Sequence, residues 1–149
     1  MQISKGLIVM LFVFTLWAPS LQAEEETPIG YWETTGDDGQ TSTSIVQIFQ
    51  DGESLSGKII KITKKGIKPD ALCVACSGEL KDKPIVGLRI LWDMKKTGDG
   101  WGSGFVLDPD SGKIYKCSIS LEGTNLKVRG FLGISMFGRT QVWRRAKSS

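Results

Sequence analysis

Hydrophobic and polar residues alternate in short runs along most of the chain. Between residues 115 and 121, for example, an apolar side chain occupies every second position, and lysine or serine occupies the positions between them. A period of two is typical of a β-strand with one buried face. On this basis we predict no long helix and eight strands: Gly30–Thr35, Ser42–Gln50, Ser54–Thr63, Leu88–Met94, Gly100–Leu107, Lys113–Leu121, Asn125–Leu132 and Thr140–Arg145.

Turn-forming pairs separate most of these strands, among them Asp38-Gly39, Asp51-Gly52, Asp99-Gly100 and Glu122-Gly123. Such pairs favour tight hairpins because both residue types tolerate a positive φ. Consecutive hairpins give an antiparallel up-and-down meander, so we predict an all-β domain that forms an eight-stranded β-barrel. The pattern alone leaves a sandwich as the alternative.

The fifth predicted strand is expected to have one bulky face. Trp101, Phe105 and Leu107 fall on the same side as Ser103 if the alternation is regular, and they oppose two glycines and a valine. Together with Trp92, Tyr115, Phe131 and Phe137, the aromatic residues Trp101 and Phe105 are candidates to line a cavity. The competing interpretation is that they fill a solid core, because eight strands enclose a space that side chains can just fill.

The two ends of the predicted meander carry complementary residues. Gly30 and Trp32 open the first strand, and Arg145 closes the last one. An indole on the first strand can close the base of a barrel, and a guanidinium from the last strand can stack on it. This arrangement favours a small-ligand carrier over an enzyme.

One long segment, from Lys64 to Val86, interrupts the strand pattern and contains Cys73 and Cys76. We predict a disulfide between these cysteines, because an oxidising compartment favours a local bridge that pins the loop. A redox pair and a metal site are alternatives, although the βαβ context and the further ligands that they need are missing. We also expect a short helical turn around Asp70–Ala75, and a buried thiol at Cys117.

The first residues have the pattern of a secretory signal peptide. Lys5 precedes a run of 12 apolar residues that is too short to cross a bilayer, and Ala23 occupies a cleavage position. We expect cleavage after Ala23, which makes residues 1–23 the signal peptide and residues 24–149 one domain without a stable membrane anchor. The mature chain has 18 Lys and Arg against 16 Asp and Glu in mixed order, so no nucleic-acid partner is indicated.

Several chemistries have no support in the sequence. The chain contains no histidine, which excludes catalytic triads and the common zinc sites that depend on it. The carboxylates lie in turns, and nothing places two of them across a cleft. We therefore predict no enzyme, no catalytic residue, no metal and no cofactor.

The C-terminal part of the chain has a specific block from residue 129 to residue 143, with Arg129-Gly130 followed by Gly138-Arg139-Thr140-Gln141-x-Trp143. This block, with nearly the whole mature chain around it, resembles a family of secreted bacterial proteins called domain of unknown function 2147. The resemblance implies an exported, lipocalin-like (calycin) barrel. Arg129 or Arg139 is then a candidate anchor for an anionic ligand group, and a surface salt bridge is the preferred alternative.

Two functions follow as hypotheses. The first is a periplasmic or secreted lipocalin-like protein, monomeric or homodimeric, that binds a small hydrophobic or amphipathic ligand in its barrel. The second is a non-enzymatic envelope protein with a filled barrel that acts through a strand edge or through the basic run between Lys58 and Lys68. An enzyme of unknown type is the third and weakest hypothesis.

Overall fold

The turns that the sequence predicts connect eight antiparallel strands into a closed barrel. The computed structural model describes residues 26–133 and 138–147, so the predicted signal peptide, residues 1–23, lies outside the described residues. The strands are β1 (Gly30–Thr35), β2 (Ser42–Asp51), β3 (Ser54–Ile62), β4 (Arg89–Thr97), β5 (Gly100–Asp108), β6 (Lys113–Glu122), β7 (Asn125–Phe131) and β8 (Gly138–Arg145). All eight predicted strands are confirmed, and no strand end differs from its prediction by more than three residues.

Each strand pairs with the next one, and β8 pairs back onto β1. The closing contact is short: Trp32 pairs with Arg145, Glu33 pairs with Arg144, and the Ala146 N–H donates to the Tyr31 carbonyl at 2.9 Å. This pairing establishes the barrel and excludes the sandwich.

The interior of the barrel holds the core. Along β6 and β7 the alternation that the sequence predicts is observed, because Cys117, Ile119, Leu126 and Val128 are all buried. Each of these residues lies between neighbours that are more exposed. One face of the sheet therefore points inward along its length, as a closed barrel requires.

The alternation breaks at the same height in β4 and β5. Asp93 and Ser103 both have φ of 57°, a left-handed conformation that is uncommon for residues with a side chain. The bulge separates Trp101 from Phe105 along β5. Trp101 pairs with the buried Ile119 and faces inward, whereas Phe105 pairs with the exposed Lys116 and faces solvent. The expectation that Trp101 and Phe105 share a face is wrong, because the bulge shifts the phase of the strand between them.

The long segment between β3 and β4, residues 63–88, is called the cysteine loop below. The predicted disulfide is confirmed, since Cys73 and Cys76 are bonded. The helical turn lies later than expected: residues 70–75 form turns and an isolated bridge, and a 3-10 turn occupies Gly78–Leu80. Backbone bonds from Cys73 to Lys83 and from Ile85 to Ala71 hold the loop together.

The cysteine loop lies against the outside of the barrel. A Cβ on Gly112, in the β5–β6 turn, would lie 1.9 Å from the Ala75 carbonyl oxygen, so the two segments touch. Ile90 and Leu107 belong to the outward-facing positions of β4 and β5, yet they are buried in one apolar cluster with Cys73 and Cys76. The loop thus extends the apolar core of the barrel to its outer side.

Candidate functional site at the open end of the barrel

The two ends of the barrel differ in construction. One end carries the starts of β1, β3, β5 and β7, and we call it the plugged end. There Trp32 is fully buried and its indole N–H donates to the Pro28 carbonyl at 2.7 Å. The Arg145 guanidinium lies 4.0 Å from the Trp32 ring and donates to the carbonyls of Ile29 and Thr27. These contacts tie the chain before β1 to the end of β8.

Gly30 makes this close approach possible. Its φ is 132°, a value that side-chain-bearing residues rarely adopt, and a Cβ there would lie 2.8 Å from Arg145 Nη1. Gly30, Trp32 and Arg145 therefore form one compact group, the three residues for which the sequence analysis expects a closing role.

Side chains fill the half of the barrel next to this group. Leu55, Met94, Leu126 and Trp143 are each less than 5 % exposed. A close-packed interior of this kind has no room for a ligand. Any internal binding site has to lie toward the opposite end, which we call the mouth. It carries the loops 36–41, 63–88 and 109–112 and the end of β7.

Inward-facing residues of β5 to β8 become partly exposed toward the mouth. Val106, Tyr115, Gly130 and Gln141 are all intermediate in exposure, and we call this set the mouth cup. A Cβ on Gly130 would lie 3.4 Å from atoms of both Val106 and Tyr115, so these three residues adjoin. Gln141 accepts a hydrogen bond from the Trp143 indole at 3.2 Å and so borders the filled half.

Arg139 continues the inward face of β8 up to the rim, because it pairs with Gly130. Its guanidinium lies 3.0 Å from an Asp37 carboxylate oxygen, and its side chain is 62 % exposed. An exposed ion pair of this kind contributes little to stability, so the guanidinium can exchange partners at low cost.

The β1–β2 side of the interior near the mouth is polar. The Thr34 hydroxyl lies 2.7 Å from the hydroxyls of both Thr43 and Ser44, and Thr34 and Ser44 are buried. Among the described residues no buried side-chain polar atom lacks a hydrogen-bond partner. The hydroxyls are thus satisfied within the protein, while the mouth cup opposite them offers a more apolar surface.

Two ionisable side chains at the rim, Asp38 and Lys64, have shifted pKa values. The Thr41 hydroxyl and the backbone N–H groups of Gln40 and Thr41 donate to Asp38 and lower its pKa to about 2. The Lys64 ammonium lies 2.9 Å from Asp110, which raises the pKa of Lys64. Both contacts hold rim loops in place, and neither group points to proton-transfer chemistry because both remain charged at neutral pH.

The structure separates the six residues for which the sequence analysis expects ligand contact. Tyr115 and Arg139 lie at the mouth. Trp101 faces inward near the plugged end, beneath a Lys96 ammonium 4.0 Å from its ring. Trp92 and Phe105 stand on the outer face with ring centroids 5.8 Å apart. Of the two other candidate cavity residues, Phe131 also faces outward, because it pairs with the exposed Lys116, and Phe137 lies outside the described residues.

Arg129 also lies on the outer face. It donates a hydrogen bond to the Thr140 hydroxyl at 3.0 Å, and its strand neighbours Val128 and Gly130 face inward. Of the two arginines in the C-terminal block, only Arg139 therefore borders the mouth.

Three mouth-cup residues were not expected to bind a ligand: Val106, Gly130 and Gln141. The sequence does indicate that Gln141 faces inward, because it shares a strand face with Trp143 and Arg145, two and four positions further along β8. The alternation along β5 predicts that Val106 faces away from Phe105 and Leu107, and the strand pairing confirms this. What the sequence lacks is any indication of which end of the barrel is filled.

The remaining thiol is buried. Cys117 is 1 % exposed, and burial raises its pKa to about 12. A thiol that stays protonated at neutral pH is a poor nucleophile and a poor metal ligand. Within residues 26–133 and 138–147, no three cysteine or carboxylate side chains are grouped so that they could hold a metal ion.

The described part of the chain has no helix long and apolar enough to cross a membrane. Two pockets lie on the outer wall of the barrel. One adjoins Phe105 and Phe131, and the other adjoins Tyr31 and Ile45.

Comparisons with known proteins agree with this architecture. The sequence profile of a family described as "Uncharacterized protein conserved in bacteria (DUF2147)" matches residues 30–145, which spans all eight strands. Protein HP1028 from Helicobacter pylori, described as belonging to the lipocalin family, has a similar solved structure with a TM-score of 0.69. It is 20 % identical, and the match covers 80 % of this chain and 82 % of that chain. No curated protein sequence matches the chain.

Proposed function

Because the chain belongs to the DUF2147 family and folds as a lipocalin-like barrel, we propose that it is an exported protein that binds a small hydrophobic or amphipathic ligand at the mouth. The observation that carries this proposal is the partial exposure of the mouth cup. Its inward-facing residues on β5 to β8 are intermediate in exposure, whereas Leu55, Met94, Leu126 and Trp143 in the plugged half are buried. Export is supported by the disulfide in the cysteine loop and by the leader sequence.

The chemistry of the mouth favours a ligand with an apolar body and an anionic or polar head. Val106 and the ring of Tyr115 offer apolar contact area, and the Tyr115 hydroxyl and the Gln141 amide offer hydrogen bonds. Arg139 stands at the rim on the same face, where its guanidinium can leave Asp37 for a ligand carboxylate or phosphate.

The rim itself is unusually apolar for a solvent-exposed surface. Leu72 and Val74 of the cysteine loop are 45 % and 65 % exposed, and Leu132 after β7 is 60 % exposed. These side chains give an incoming apolar molecule a surface to contact before it enters the mouth.

Native mass spectrometry of the mature protein, purified gently from its own compartment, tests the proposal directly. We expect additional mass that is lost on denaturation. Thermal unfolding with a panel of fatty acids and lysolipids should identify a stabilising ligand. At a hundredfold excess over Kd the gain is about 2.7 kcal/mol.

A matched pair of variants locates the site. Val106→Trp places a large ring in the mouth cup, whereas Ile114→Trp places the same ring on the outer face at the same height. We expect Val106→Trp to abolish ligand-induced stabilisation and Ile114→Trp to retain it. Equal stabilisation of both variants would show that the ligand does not bind in the mouth.

One observation favours the second function, an interaction protein with a filled barrel. Large side chains, among them Trp32, Met94, Leu126 and Trp143, are buried in the plugged half and leave little of the interior open. A mass equal to that of the bare chain, with no stabilisation by any member of the panel, would support this alternative and contradict ligand binding.

A further inference from the structure

A row of side chains crosses the outer wall of the barrel at right angles to the strands. Trp92 on β4 pairs with Phe105 on β5, Phe105 pairs with Lys116 on β6, and Lys116 pairs with Phe131 on β7. Directly paired residues project from the same face of a sheet. These four residues, which we call the outer row, therefore stand side by side on the solvent face.

The aromatic members of the outer row are only partly buried. Trp92, Phe105 and Phe131 are intermediate in exposure, and Lys116 between the two phenylalanines is exposed. The Trp92 and Phe105 rings stack with 23° between their planes, so the indole supports one face of the phenyl ring. Phe105 and Phe131 are two strands apart, a separation of about 10 Å at the usual strand spacing.

The double bulge gives the outer row its position. Asp93 follows Trp92, Ser103 lies two residues before Phe105, and both have φ of 57°. In a regular β5 strand Phe105 would face the same side as Trp101, which points inward. Left-handed conformations of this kind are unfavourable for residues with a side chain and cluster at binding sites. The unfavourable backbone here keeps aromatic rings on the surface.

A groove of about 420 Å³ runs along the row between Phe105 and Phe131. Its remaining lining residues are Ser103, Gly104, Lys116 and Cys117. Lys116 is the one charged residue among the six, and no carboxylate lines the groove. The groove thus combines two phenyl rings, a hydroxyl and an ammonium.

We propose that this groove binds the sugar-acid unit of an acidic saccharide. The apolar C–H face of a pyranose ring would stack on Phe105 or Phe131, its carboxylate would pair with Lys116, and its hydroxyls would bond to Ser103. This site is separate from the mouth and does not depend on it.

Other occupants fit the groove less well. A peptide that adds a strand needs a free sheet edge, whereas the backbone between β4 and β7 is already paired. An apolar small molecule needs a deep pocket that covers most of its surface, and this groove is open to solvent. Single-stranded nucleic acid requires a track of cations, and the groove offers one lysine.

The mature protein, labelled with ¹⁵N and titrated with trigalacturonate, tests the proposal by NMR. We expect the backbone amides of residues 103–105, 116 and 131 and the Trp92 indole N–H to shift together. Phe131→Ala and Lys116→Gln should each weaken the affinity about tenfold. Neutral maltotriose should bind more weakly than trigalacturonate.

A matched pair elsewhere on the outer wall serves as the control. Phe49 carries a Lys58 ammonium 5.7 Å from its ring, outside the groove, so Phe49→Ala and Lys58→Gln remove the same chemistry from another site. Both control variants should bind trigalacturonate as the unmodified protein does.

Three results would overturn the proposal. The first is that no NMR signal shifts at millimolar trigalacturonate. The second is that the control variants lose as much affinity for trigalacturonate as the groove variants do. The third is that a thymidine oligonucleotide binds as tightly as trigalacturonate. Spectra of each variant also report its folding, and the outcome leaves ligand binding at the mouth unaffected, because Val106 and Tyr115 lie on the other side of the wall.

Discussion

Among single residues, Cys117 has the largest electrostatic consequence. Its thiol is buried among apolar neighbours, and the loss of hydration raises its pKa to about 12 from a usual value near 9.0. The folded state therefore holds the thiol proton more tightly than the unfolded state does. The resulting contribution to stability is complete below pH 9 and is lost as the pH rises from about 9 to about 12.

We accordingly expect Cys117→Ala to flatten the alkaline part of the stability profile. Lysine and tyrosine titrations affect both proteins alike, so the difference between the two urea-unfolding curves isolates the thiol. At pH 8 the native thiol should resist alkylation and react once urea unfolds the chain. Rapid alkylation of the native protein would contradict the burial of Cys117.

For individual elements, the cysteine loop explains why an outward position of β5 can be buried. Leu107 and Ile114 are cross-strand partners on the outer face, but Leu107 is 2 % exposed and Ile114 is 46 % exposed. The difference arises because the loop covers only Leu107. Two residues with the same pairing should therefore differ in their contribution to stability.

We expect Leu107→Ala to lower the free energy of unfolding by about 2–4 kcal/mol, as for a buried leucine. Ile114→Ala should change it by about 0.5 kcal/mol, as for a surface residue. Urea denaturation of both variants provides the comparison. Similar small effects would mean that the loop does not pack against the barrel.

The strands were predictable from sequence because two independent signals coincide. Apolar residues recur every second position, and Asp-Gly or similar turn pairs mark where most runs end. The double bulge was not predictable, because neither Asp93 nor Ser103 is a residue type that specifies a left-handed conformation. A one-residue change of phase moves side chains to the opposite face, so Phe105 was misplaced while its strand was correct.

The long loop was predictable in a similar, partial way. Its disulfide followed from the spacing of Cys73 and Cys76 and from the expected export of the chain, whereas its contacts with the barrel depend on tertiary packing. The position of the 3-10 turn at Gly78–Leu80 depends on the same packing.

On the scale of the whole molecule, closure of the barrel depends on a small contact. Strands β1 and β8 share two paired positions, whereas β7 and β8 share seven. Arg145 reinforces this seam because it stacks on Trp32 and donates to two carbonyls of the chain before β1. Its neighbour Arg144 makes one long hydrogen bond of 3.5 Å to Gly39.

We expect Arg145→Met to lower the free energy of unfolding by about 1–2 kcal/mol, because it loses the cation–π contact and retains a similar apolar stem. Arg144→Met should be nearly neutral. Chemical denaturation followed by tryptophan fluorescence measures both. An equal effect of the two substitutions would indicate that the plug does not stabilise closure.

The same seam places the two ends of the domain side by side. Trp32 and Arg145 are direct neighbours, so a few flexible residues would suffice to join the segment before β1 to the segment after β8. New termini could then be opened in the β2–β3 hairpin, at Gly52, without removing any strand or any part of the mouth. A circularly permuted chain of this kind should rebuild the barrel. Fusion partners attached before β1 or after β8 would likewise leave on the side away from the mouth.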